Sequence, residues 1–375
     1  MNNRLLLQAA LACALAAPLL GQFTASVPAP YPARTVDLSG DISRQVVVAA
    51  GTSSLYQGHP TTTLLPDGKT IFCVWTHGHG GTCGPMAESV DGGRTWGPLL
   101  ATPENWTAVR NCPSLYRLTD PSGVTRIFVF ASRGPDGQMQ EAHSSDEGRT
   151  WTPMSTVGLT CIMPFCTIVP IQGGKELLAQ TNLKGSQAKD EQSNVLGQSI
   201  SKDGGFTWSA WRIVLRIPGL SPSEPEIVRS PNGRQLLCLI RENARKFGAL
   251  YMTSDDEGVT WSEARPTPLG LSGDRHMAHY APDGRLVVTF RDQGVNSPTR
   301  NHFVAWVGRY EDIAAGRPGQ YRIKLLTSFK GADCGYSGLE CLPDGTFVAT
   351  TYVKYRPGPE LNSVVSTRFK LTETD

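Results

Sequence analysis

Four residues of unlike chemistry occupy equivalent places along this chain. His59, Glu224, Arg275 and Tyr336 each stand seven positions before the proline of a tight turn, at Pro66, Pro231, Pro282 and Pro343. A phenol, with a pKa near ~10, becomes a nucleophile only when a neighbouring carboxylate draws off its proton. A guanidinium offers planar, two-pronged hydrogen bonds to an anion. An imidazole passes protons near neutral pH. Looser turns bring Arg110 to Cys112 and Met163 to about the same level, and the segment Trp75 to Gly81 adds His77 and His79. Arg241, Arg291 and Arg300 supply further positive charge, and Asp292 directly follows Arg291. Packing alone would favour apolar residues here, so a ring of large, polar, mutually different side chains points to a site. The plainer alternative is a water-filled channel lined by solvated groups. His77 and His79 could share a metal, but no third ligand lies nearby, and neither metal nor cofactor is expected.

Such a ring needs elements that repeat. The segments starting at Ser89, Ser144, Ser201 and Ser254 all read S-x-D-x-G-x-T-W, ending at Trp96, Trp151, Trp208 and Trp261. Six turn signals lie between apolar runs, at Pro66-Asp67-Gly68, Pro121-Ser122-Gly123, Gln172-Gly173-Gly174, Pro231-Asn232-Gly233, Pro282-Asp283-Gly284 and Pro343-Asp344-Gly345. Proline presets φ and glycine accepts positive φ, so these are hairpin turns. Three boxes follow their turn glycine by the same interval; the third is longer. The same count from Gly284 and Gly345 reaches the apolar runs around Ala305 and Ser366, where the box has decayed. Six units of two hairpins predict an all-β, six-bladed propeller of four-stranded antiparallel blades. The run Arg44 to Ala50 is then free to close the ring on the last blade. Within each box, Asp and Ser/Thr can bond their own turn, glycine takes the left-handed position and tryptophan packs between sheets, so the box reads as scaffold. Its spacing lacks the alternating acidic ligands of a calcium loop.

Composition sets outer bounds. The 375 residues hold 39 glycines and 27 prolines, natural for many short strands joined by tight turns. A net charge of +2 is too balanced for a nucleic-acid partner. Arg4 followed by the apolar run Leu5 to Leu20 reads as an export signal, too short for a membrane span. A secreted or periplasmic protein follows, with residues 1–25 as leader, 26–43 as an extension and 44–375 as one propeller domain, expected to be a monomer. Ala12-Cys13 only faintly resembles a lipid-anchor site. Export permits disulfides among the eight remaining cysteines, although several lie in apolar strands, where buried thiols are commoner.

The boxes and the count of six resemble the sialidase (neuraminidase) superfamily across roughly residues 45–370. Tyr336-Ser337-Gly338-Leu339, running on to Gly345, is similar to the family segment bearing its tyrosine nucleophile. Glu224-Pro225, leading to Arg241, is similar to the segment bearing the activating glutamate and one arginine of the substrate-binding triad; Arg300 fits a further triad position by order. Two departures stand out. Gly58-His59-Pro60 replaces the family's Arg-Ile-Pro, so the first arginine is missing. The segment Trp75 to Gly81 carries His77 and His79 where the family has its acid/base aspartate. Arg110, Arg275 and Arg291 could restore charge, and Asp292 an acid, although a structural Arg291–Asp292 pairing is an equal reading.

Three functions follow. The first is a sialidase-like glycoside hydrolase on terminal acidic or modified sugars of glycans, with Tyr336 as nucleophile, Glu224 as its base, Arg241 and Arg300 as anion clamp, and His77 or His79 as acid/base. The second is a polysaccharide lyase on uronates, in which a histidine or Tyr336 removes the C5 proton. The third is a glycan-binding propeller without catalysis.

Overall fold

The structure, a computed structural model, describes residue 31 and residues 33–134, 137–184 and 194–375; the leader around Arg4 to Leu20, with Cys13, lies outside the described residues. Two strands precede the ring, β1 (Thr35–Asp37) and β2 (Gln45–Ala49). Blade I is β3 (Gln57–Leu64), β4 (Ile71–His77) and β5 (Met86–Ser89). Blade II is β6 (Arg110–Thr119), β7 (Thr125–Ser132), β8 (Gly137–Ser144) and β9 (Ser155–Cys161). Blade III is β10 (Thr167–Ile171), β11 (Glu176–Lys184), β12 (Asn194–Ser201) and β13 (Arg212–Leu215). Blade IV is β14 (Pro222–Arg229), β15 (Leu236–Glu242), β16 (Leu250–Ser254) and β17 (Arg265–Pro266). Blade V is β18 (Gly273–Tyr280), β19 (Leu286–Asp292), β20 (Phe303–Gly308) and β21 (Tyr321–Leu326). Blade VI is β22 (Ser337–Cys341), β23 (Phe347–Val353) and β24 (Ser363–Phe369), and β2 completes it by pairing with β24. The chain is thus an all-β propeller of six blades, whose only described α-helix is the single turn Tyr310–Ala314.

Two blades depart from four strands. In blade I the outer segment keeps ladder-like bonds, from the Gly97 amide to the Glu88 carbonyl and from the Leu100 amide to the Met86 carbonyl, without forming a regular strand. Blade V gains a fifth strand, because β1 pairs in parallel with β21.

The boxes work as the local chemistry requires. In the first, Ser89 Oγ donates to Asp91 and accepts from the Gly93 amide, while Asp91 accepts from the Arg94 and Thr95 amides and the Thr95 hydroxyl. These donors outweigh partial burial and hold the Asp91 carboxyl down at about 2. The box glycine then meets the preceding blade. A Cβ on Gly93 would lie 2.9 Å from Val348 of blade VI, and one on Gly148 would lie 2.3 Å from the Phe72 ring of blade I. Gly205 presses on Leu118 of blade II and Gly258 on Leu178 of blade III in the same way. Each box therefore staples consecutive blades. It follows the third strand, at the end of the ring opposite to that where the inner strands begin.

Apolar faces of neighbouring blades interleave around the ring, as where Phe128 of blade II meets Phe206 of blade III with ring centroids 5.2 Å apart. All eight described cysteines are free thiols, seven of them buried. Among the described residues no helix is long and apolar enough to cross a membrane.

Candidate active site

The inner strands deliver the site through a repeated irregularity. β3, β6, β14 and β18 each lose ladder register near their start, at Gly58/Thr61, Arg110/Ser114, Ser223/Glu226 and Asp274/Met277. Within these bulges His59, Cys112, Glu224 and Arg275 take φ of 46°, 55°, 50° and 53°. Side chains with a Cβ rarely adopt this region, and such strain gathers where a bulge re-aims a residue for function. Tyr336 reaches the same mouth from the residue before β22.

The structure brings Tyr336, Glu224 and Arg241 into one cluster. The Tyr336 hydroxyl donates to Glu224 Oε1, which also accepts from Arg241 Nη1 at 2.6 Å. Arg241 Nη1 lies 3.4 Å from the phenol oxygen. Burial alone would raise the Glu224 pKa; the Arg241 charge and its hydrogen bond reverse this and set it below the ordinary carboxylate value. Burial and the Glu224 charge push the Tyr336 phenol well above its usual value, so at rest the proton stays on the phenol.

Behind this pair lies a residue with no role in the sequence reading. Asp274, fully buried, accepts from Arg291 Nε at 2.8 Å, pairs with Arg241 Nε at 3.0 Å, and accepts from Arg245 Nη2 at 2.6 Å. Three guanidiniums overcome its burial and hold its carboxyl at about 2. Arg291 spends a further nitrogen on the carbonyls of Ala332 and Cys334.

The other candidates are placed as follows. His59 packs between Tyr336 and His79, with ring centroids 4.5 Å from each, and its Nδ1 lies 3.1 Å from Cys112 Sγ. Burial lowers its pKa well below the ordinary imidazole value, so the ring is neutral. His79 is 61% exposed at the rim, where its Nδ1 lies 3.3 Å from Asp333 Oδ1. Asp333 also accepts from Tyr56 at 2.7 Å and pairs with Lys330 at 2.9 Å. His77 ends β4 opposite Gln57 and bridges to Thr82; among the described residues no ring contact joins it to Tyr336. Arg275 lies buried beneath the mouth, donating to the Cys166 carbonyl at 3.1 Å. Arg110 is exposed at the start of β6 and bridged to Thr82.

Asp292 and Arg300 lie apart from Tyr336. Successive strand residues face opposite ways, so Arg291 turns to Asp274 whereas Asp292 turns to Arg322, which donates at 2.6 Å, and to the hydroxyls of Thr299 and Ser297. The Asp292–Arg322 pair is fully buried and holds the β19–β20 loop. No Arg291–Asp292 pairing forms, because each has another partner. Arg300 is exposed on that loop, lining a cavity with Arg245.

Sequence reasoning missed Asp274, Arg245, Asp333, Tyr56 and Tyr352. One signal was available: Asp274 precedes Arg275 and Asp333 lies just upstream of Tyr336, so both are carboxylates at the level of the ring. Three buried polar atoms at the mouth, His59 Nε2, Glu224 Oε2 and the Tyr352 hydroxyl, have no partner among the described residues. Buried polar groups are normally satisfied, so three orphans around one phenol mark a place built for a polar ligand.

Residues 166–307 match the family model of the BNR repeat-like domain. No curated protein matches the chain. Among solved structures, a protein of unknown function from Dyadobacter fermentans superposes with a TM-score of 0.66 at 17% identity, covering 87% of this chain and 97% of its own. The intramolecular trans-sialidase of Ruminococcus gnavus, solved with oseltamivir carboxylate, gives 0.59 at 16% identity, covering 88% and 97%. The Trypanosoma rangeli sialidase, solved as a covalent intermediate with 2,3-difluorosialic acid, gives 0.56 at 14% identity, covering 86% and 58%. Residues 166–307 are therefore similar to the BNR repeat-like domain, and the chain shares its six-bladed propeller fold with these solved structures.

Proposed function

We propose that this protein is a glycoside hydrolase that cleaves terminal acidic or modified sugars from glycans through a glycosyl-tyrosine intermediate. The observation that carries this reading is the Tyr336–Glu224–Arg241 cluster, in which one carboxylate oxygen faces both the phenol proton and a guanidinium. In the first step the Tyr336 oxygen attacks the anomeric carbon while its proton passes to Glu224. The bond to the leaving oxygen breaks, and His79, steadied by Asp333, protonates that oxygen. In the second step water attacks the anomeric carbon and gives its proton to His79, and the departing Tyr336 oxygen recovers its proton from Glu224. The orphaned atoms of His59, Glu224 and Tyr352 would bond the sugar's hydroxyls. Export by the N-terminal leader would place the enzyme where glycans are exposed.

The test uses a panel of fluorogenic sialosides, uronides and neutral glycosides, together with their fluorinated trapping analogues. Turnover by the wild type, with the trapped sugar on the Tyr336 peptide in mass spectrometry, is the expected result. Turnover undiminished in Tyr336→Phe would exclude the mechanism. Release of an unsaturated, ultraviolet-absorbing product would transfer the site to lyase chemistry.

A further inference from the structure

At the mouth of the propeller a cavity of about 220 Å³ lies between blades IV and V. Pro266, Leu269 and Phe247 contribute apolar lining, and Arg245 and Arg300 contribute charge.

Both arginines call for explanation. Arg300 is exposed, and its side chain has no ion pair or hydrogen bond among the described residues. Arg245 is presented by a loop under constraint. Buried Glu242 accepts from the amides of Ser221, Ala244 and Lys246 at 3.0, 2.9 and 2.8 Å, clamping the loop, and within it Arg245 takes φ of 59°. Asp274 then grips both Nη atoms of Arg245 from below, so the guanidinium is fixed while its side chain stays 42% exposed. A strained backbone and a buried carboxylate that together fix a half-exposed cation are features of a binding site, not of a solvated surface.

The charges agree. Glu242 is turned into the loop's own amides, which leaves Arg245, Lys246 and Arg300 as the other ionisable groups of the lining. Lys246 is spent on the Gly219 carbonyl. Arg291 is committed to Asp274 and two carbonyls, so a carboxylate arriving at Tyr336 could not draw on it without breaking those bonds.

We propose that this cavity is a separate anion subsite, in which Arg300 and the fixed Arg245 hold an acidic substituent, a carboxylate or a sulfate ester, on the sugar unit next to the one held at Tyr336. The subsite rests on the hydrolase reading for its place in a glycan, but not for its chemistry. Asp274 joins the two sites, since it holds Arg245 on one side and Arg241 on the other.

Calorimetric titration with sodium D-glucuronate and with sodium sulfate tests the proposal, using glucose as the neutral control. The wild type should bind at least one of the two anions, more weakly at high salt, and should ignore glucose. Arg300→Ala removes a side chain without partners and should fold normally; losing one charge-assisted contact should weaken anion binding about tenfold. Arg300 lines this cavity and lies apart from Tyr336, so loss of anion binding in Arg300→Ala reports on the subsite and not on the catalytic cluster. Binding of glucuronate alone assigns the subsite to uronates, and binding of sulfate alone assigns it to sulfate esters. Unchanged binding in Arg300→Ala, or binding of neither anion by the wild type, overturns the proposal.

Discussion

At Tyr336 a single carboxylate has to answer two groups at once. Glu224 Oε1 faces the phenol and the Arg241 guanidinium, and this sharing keeps the acid ionised despite its burial. An ionised base beside a phenol of raised pKa is poised so that the proton moves only as the new bond forms. Tyr336→Phe keeps the ring against His59 and Cys112 while deleting the oxygen proposed as the nucleophile. Turnover should fall by at least ~10³, on the scale of losing an essential catalytic group, while product binding stays within about threefold, under ~1 kcal/mol. Kinetics and calorimetry on the same preparation check this, and parallel loss of both would mean that the phenol binds and does not react. Glu224→Gln should be equally slow, for another reason: its amide cannot accept the proton, and Arg241 loses one of the two carboxylates it faces. Much of this cluster was legible in the sequence because Tyr336 and Glu224 stand at a fixed count before a turn, and a local count survives folding. Asp274 was not legible in that way. Its meaning depends on Arg241 from β15 and Arg291 from β19, which only the packing of blade IV on blade V brings together.

Each blade is a meander; in blades I, II, IV and V the inner strand bulges at the mouth, and in blades I to IV the third strand ends in a box. The turns and boxes could be read directly because their hydrogen bonds join residues within a few positions of one another. The bulges could not, because a register slip is a property of two strands; the sequence marks only Gly58-His59-Pro60 and Glu224-Pro225 as unusual. The irregular edge of blade I and the fifth strand of blade V also depend on partners distant in sequence. The staple role of the boxes gives a prediction at this scale. Gly148 has φ of 87° and would set a Cβ 2.3 Å from the Phe72 ring, whereas Gly233, at φ of 76°, faces open space in an ordinary turn. Gly148→Ala should therefore cost about 2–4 kcal/mol, combining strain with a clash against the preceding blade. Gly233→Ala should cost only ~1–2 kcal/mol for its backbone. Denaturant unfolding of the two variants decides the matter, and equal costs would reduce the box glycine to a turn residue.

The whole ring brings residues of blades IV and VI together across the mouth, and it closes by giving β2 to blade VI. Converging inner strands also bury ionisable groups, and two of these set opposite limits to stability. Burial pushes Asp274 upward, but Arg241, Arg245 and Arg291 bring it down to about 2, below the ~3.9 of an unfolded chain. Its contribution is therefore present above ~3.9 and is lost as pH falls toward 2. Glu226, on β14 below the mouth, runs the other way. Burial raises its pKa to about 7, and neither the Arg275 charge nor the Ala278 amide, at 3.2 Å, restores the ordinary value. A carboxyl that prefers its proton in the fold is harmless below its unfolded value near ~4.3 and costs stability as pH rises through 7. Glu340, bonded by Thr62 and the Leu64 amide, is raised to about 7 in the same sense. Ionisation of the two carboxyls should lower the melting temperature toward pH 8, while the buried neutral rings of His59 and His276 lower it as pH falls below the ~6.5 of a free imidazole. Glu226→Gln keeps the shape and the acceptor while removing the titration. It should recover about 2–4 kcal/mol at pH 8 relative to the wild type and leave pH 4 nearly unchanged, and so change the slope between them. Melting curves from pH 3 to pH 8 on both proteins provide the measurement. An unchanged slope in Glu226→Gln would show that water reaches this carboxyl and that the interior of the ring is wetter than its packing implies.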